Sequence, residues 1–113
     1  MKEIDDNQLV VEIVVENEIE NFLQKHPLLV AALPKIQEII MQYFENAVFE
    51  QSINIDVEEY HTSLVVKIFT GVESVTMFQR NKIMFHDPAL IEIIKVPAVI
   101  YFLTLDFQSK SNI

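Results

Sequence analysis

The chain has 113 residues, half of them hydrophobic and 22% charged, with no cysteine and a single glycine. That length suits one domain, 1–113, with a core that needs no disulfide or metal, and the missing cysteines exclude thiolate catalysis and cysteine-ligated metal centres. Seventeen acidic residues against eight basic give a net charge of −9, the wrong sign for a phosphate backbone or an anionic membrane.

The acidic start, MKEIDDNQ, is unlike a secretory signal, so a cytoplasmic protein is expected. Leu9–Val15 (LVVEIVV) is rich in β-branched residues with apolar side chains on both faces, as in a central strand. Over seven residues a buried helix reads the same way. Glu16–Ala47 is the clearest helical region. Ile36, Ile39, Ile40, Tyr43, Phe44 and Ala47 form one apolar stripe at helical spacing. Pro27 and Pro34 prevent one straight helix, and Pro34 suits the first turn of the longest piece, 34–46.

Phe49–Val57 alternates. Phe49, Ile53, Ile55 and Val57 fall on one face, and Glu50, Ser52, Asn54 and Asp56 on the other, which predicts a strand with one wet face. Glu58–His61 makes a turn into a second strand, Thr62–Thr70, closing an antiparallel hairpin. After Gly71, Glu73–Phe85 begins acidic and ends basic at Arg80 and Lys82, which suits a helix macrodipole. A strand–turn–strand about Arg80–Lys82 competes with that helix. A further helical piece, 88–95, stops before Pro97. Ala98–Phe107 reads as a strand with Val99, Tyr101, Leu103, Leu105 and Phe107 on one face. The longest uncharged run, Val96–Leu105, is too short to cross a bilayer.

This order predicts an α+β fold with helices on one face of a three- or four-stranded, mainly antiparallel sheet. With a first strand it is β-α-β-β-α-β, the ferredoxin-like pattern; with a first helix it is α-β-β-α-β.

His86–Asp87 is the most conspicuous pair. Adjacent side chains diverge on either a helix or a strand, whereas Asp followed by Pro88 is a helix N-cap and first helical residue. His26, also before a proline, reads as a helix junction. Asp56, Glu58, Glu59 and His61 cluster in one turn, so Glu58, Glu59 and His61, with His86 if the fold brings it near, are the candidate metal ligands. A solvated acidic turn competes with that reading. No nucleophile elbow, phosphate loop or dinucleotide fingerprint occurs, and no catalytic residue or cofactor is assigned.

The apolar runs are a lot of surface for a small two-layer fold, and Ile100 and Phe102 are the candidate interface residues on the uncovered sheet face; a fully self-buried core competes with that reading. The expected partners are a second copy or another protein.

Ile19, Glu20, Phe22, Leu23, His26 and Pro27, followed by Tyr43 and Phe44, form the pattern I-E-x-F-L-x-x-H-P … I-x-x-Y-F. With the SLVVKIFT strand and the closing LDF, it resembles a small, mainly cyanobacterial family of proteins without assigned activity. The resemblance spans about 19–107 and implies an α+β fold with no catalytic residue; it is compatible with an adaptor or antitoxin-like role. The functional expectation is a non-catalytic, self-associating interaction domain. The alternative is a metal- or small-ligand-binding protein, or an enzyme, that uses the 58–61 turn.

Overall fold

The computed structural model describes residues 10–13 and 15–110. These form an α+β unit in the order β1 (Val10–Ile13), α1 (Glu16–Gln24), α2 (Pro27–Tyr43), β2 (Val48–Asp56), β3 (His61–Phe69), α3 (Ser74–Met84), α4 (Pro88–Ile94), α5 (Pro97–Phe102) and β4 (Leu103–Gln108). Leu9 and Val14 of the expected first strand lie outside the described residues.

The strands lie in sequence order across one sheet, β1-β2-β3-β4. β1 pairs antiparallel with β2, and β2 with β3, but β3 pairs with β4 in parallel. The sheet is therefore mixed, and the ferredoxin-like arrangement is not the one formed. The reason lies in the connections. α1 and α2 return the chain so that β2 runs back along β1, whereas the path of nearly equal length through α3, α4 and α5 is a crossover that brings β4 in beside β3 in the same direction.

α1 begins with Glu16 and Glu18 in its first turn, where carboxylates suit the positive end of the helix dipole. It buries Ile19 and Phe22, one turn apart. Pro27, not Pro34, opens α2: it takes the first helical position, and Pro34 lies in the helix interior. Pro34 removes the amide that would bond the Val30 carbonyl. Both residues are on the exposed side of the helix, where water can take that bond. The opposite side, Leu29, Ala32, Ile36, Ile39 and Ile40, is buried.

That stripe packs on one sheet face, where the register aligns Ile53 with Leu64 and Leu103, and Phe49 with Ile68 and Phe107. Leu64 and Ile68 are fully buried, as are Met84 of α3 and Leu90 of α4. The sole glycine, Gly71, holds a left-handed φ of 72° as the chain leaves β3.

Two further sequence readings need correction. The run Ala98–Phe107 is not a single strand. Its first half is α5, opened by Pro97 at the first helical position, and the strand starts only at Leu103. Val99 and Phe102, three apart, face the core from this short helix, while Tyr101 is exposed. The second correction concerns the polar face of β2, which is wet only in part. Ser52 is 3% exposed and its Oγ has no partner, and the Asn54 Oδ1 is likewise buried and unpartnered. Val65, the cross-strand neighbour of Ser52, is also buried. A buried hydroxyl without a partner costs about 1–3 kcal/mol. Ser52→Ala is therefore expected to raise the unfolding free energy by about 1 kcal/mol in denaturant melts. A destabilised variant would show that the hydroxyl is satisfied.

Candidate functional site

Two places stand out once the helices are in position, one on either side of α5. The first is a cleft of about 490 Å³ between α1, the β2–β3 turn and α5. It brings together two histidines that are far apart in sequence. His26, between α1 and α2, stacks on Phe22 at 4.2 Å and leans on Phe102 at 4.2 Å. Its Nδ1 lies 2.8 Å from the Phe22 carbonyl. His61, the first residue of β3, meets Tyr101 edge-on at 4.4 Å and lies 5.7 Å from Phe102. Its Nε2 lies 2.8 Å from the Tyr101 carbonyl.

A carbonyl oxygen only accepts, so the bonded ring nitrogen of each histidine carries the proton. In the neutral rings this leaves the lone pair on Nε2 of His26 and on Nδ1 of His61. Glu18, Asn21, Lys25 and Thr62 line the same cleft. Tyr60 stands at its rim, 92% exposed and held at a left-handed φ of 52° where the hairpin turns.

The proposed metal ligands are not assembled. Among the described residues no three histidine, aspartate or glutamate side chains are placed to hold a metal ion. Asp56 instead accepts the Glu58 and Glu59 amides at 3.1 and 3.2 Å, closing the turn on itself and leaving both glutamates exposed. His86 lies elsewhere. Its Nδ1–H donates to the Lys82 carbonyl at 2.7 Å, satisfying the C-terminal end of α3.

Asp87 is the N-cap of α4 and accepts the Ala89 amide at 2.9 Å. It has a second partner that the sequence did not suggest, because the Tyr43 hydroxyl donates to its Oδ2 at 2.6 Å. The tyrosine hydrogen bond first, and then the Ala89 amide, hold the Asp87 carboxyl below its ordinary value of 3.8. The same bond, with desolvation and the nearby carboxylate charge, raises the Tyr43 hydroxyl above 10.0. Arg80 from α3 donates to the Tyr43 carbonyl at 3.1 Å, capping α2 with a cation at its negative end.

This pair has a predictable pH signature. A depressed Asp87 contributes stability that is present above the ordinary carboxylate range and lost as the pH falls through its lowered value. A raised Tyr43 contributes stability that is present below its ordinary range and lost as the pH rises through its raised value. Tyr43→Phe should lower the melting temperature at pH 7 and return the Asp87 carboxyl toward 3.8 in an NMR titration. An unmoved Asp87 titration would show that the bond is not made in solution.

The second place is an apolar groove of about 510 Å³ beside β4, lined by Phe85, Ile91, Ile94, Val99, Ile100, Leu103 and Leu105, with Lys95 at its edge. Ile100 is 64% exposed there. Phe102, its expected interface companion, points the other way, half-buried between the two cleft histidines. β4 ends the sheet, so no described strand pairs with its outer edge. Thr70 donates its amide to the Gln108 carbonyl. Gln108, Asp106 and Thr104 therefore turn their backbone groups toward β3, and Leu105 and Phe107 turn theirs outward.

No helix among the described residues is long and apolar enough to cross a membrane. Comparison with family models, curated proteins and solved structures finds no match for this chain.

Proposed function

We propose that this chain is a non-catalytic, cytoplasmic interaction domain that self-associates through β4 and the groove beside it. The observation that carries this reading is the coincidence of an open strand edge with exposed apolar side chains on the same rim. Strand edges left open in monomers are usually shortened, charged or covered. A second copy related by a two-fold axis supplies two things that the described residues do not provide at this rim: a strand for the outward amides of β4 and apolar side chains for the groove.

A register centred on Leu105 sets Thr104 against Asp106 of the other copy, so the two Asp106 carboxylates are not opposed. The net charge of −9 on each copy acts against association, and added salt should strengthen it by screening. The pattern around His26–Pro27 and Tyr43–Phe44 serves stacking, helix starts and the Asp87 bond, and the grouping with the cyanobacterial proteins rests on the sequence pattern alone. An adaptor or antitoxin-like role fits that grouping.

Light scattering at tens of micromolar, combined with amide exchange, tests the reading. The expected result is a dimer with slow exchange at Leu105 and Phe107. A clean monomer sinks the proposal, and so does a dimer in which those two amides exchange freely.

A further inference from the structure

The cleft on the other side of α5 carries an inference of its own, independent of β4 pairing. Both histidines are fixed by backbone carbonyls, so each neutral ring offers the cleft an acceptor and no donor. Among the described residues neither ring is paired with a carboxylate. Around them stand the rings of Tyr101 and Tyr60, with Phe102 between the two histidines, and the carboxylate of Glu18. Ring faces attract cations and not anions. Lone pairs, a carboxylate and π faces together describe a receptor for a positively charged hydrogen-bond donor, in a chain whose overall field also draws cations.

The ionisable groups lining the cleft are Glu18 and Lys25 from α1 and the residue after it, His26, Tyr60 and His61 at the hairpin, and Tyr101 of α5. Lys25 is the one opposing charge among them. It is exposed, with a long stem that can swing its ammonium into water.

We propose that this cleft binds a guanidinium group, held against the rings of Tyr60 and Tyr101 with its N–H donors directed to His26, His61 and Glu18. A planar fork fits better than a compact ammonium. It can lie along an aromatic face while donating in more than one direction to acceptors on separate elements. The volume, about 490 Å³, falls within the usual range for small-ligand sites. A metal cation is the poorer fit, because among the described residues no three ligating side chains converge. The guanidinium can belong to a free small molecule or to an arginine side chain of a basic partner.

The test uses the full chain and the ring resonances of its histidines at pH 7.5. Methylguanidinium should shift the His26 and His61 signals saturably, whereas benzoate should leave them in place. Glu18→Gln and His61→Phe should each weaken binding about tenfold, the scale of one lost charge-assisted hydrogen bond. The methylguanidinium and benzoate arms need no variant to fold. A tri-arginine peptide that binds at least tenfold more tightly than arginine amide assigns the group to a protein partner, and equal binding assigns it to a small molecule. The inference is overturned if benzoate binds in preference or if neither probe moves the histidines.

Discussion

Phe44→Ala is expected to cost about 3–5 kcal/mol of folding free energy, close to half the stability of an ordinary domain. Phe44 is 1% exposed, although it lies just past the last residue of α2 with an extended φ of −136°. Its ring meets Phe107 of β4 at 6.0 Å, and the Arg80 guanidinium sits 5.9 Å above it. Truncation therefore opens a cavity between α2 and β4, and it also removes the aromatic surface on which Arg80 rests while capping α2. For a chain of this size the loss corresponds to a melting temperature about 12–20 °C lower. Phe78→Ala is the matched control: Phe78 is 73% exposed, and its loss should change stability by no more than about 0.5 kcal/mol. Equal effects from the two would mean that the C-terminal end of α2 is not packed as described.

Much of this architecture could be read from residue patterns. The β2–β3 hairpin follows from period-two alternation on both sides of a polar turn, and α2 from its apolar stripe. Asp87-Pro88 announced the start of α4 because capping is a local event. What escaped was either ambiguous locally or non-local. Val96–Leu105 is a continuous apolar run, and such a run does not distinguish a short helix followed by a strand from one strand; Pro97 was the only cue to α5. Pro34 reads as a helix start because a proline inside a helix usually costs about 3 kcal/mol, and its tolerance here depends on which side of α2 faces water. The parallel pairing of β4 cannot be deduced from the composition of the strand. The cleft was invisible for a different reason. Its two histidines come together only when α5 places Phe102 between them, and Tyr43 reaches Asp87 across 44 residues of chain.

Ile100→Glu should break the proposed self-association with little harm to the fold. Ile100 is 64% exposed and contributes to the rim of the groove, not to the buried core, so its loss from the monomer should stay within about 0.5 kcal/mol. In a two-fold assembly each copy contributes the same side chain, and the substitution acts twice. Burying one isoleucine stabilises by roughly 1.5–3 kcal/mol, so the pair accounts for about 3–6 kcal/mol, or about two to four orders of magnitude in the dimer dissociation constant. The introduced carboxylates add to an association that already opposes two charges of −9. Sedimentation should show a monomer at concentrations where the unsubstituted chain is dimeric, with an unchanged melting transition measured on the monomer. Exchange at Leu105 and Phe107 should become fast in parallel, because the same contact that fills the groove shields the edge. A variant that stays dimeric with those amides protected would place the interface on another surface, and one that unfolds would place Ile100 in the core.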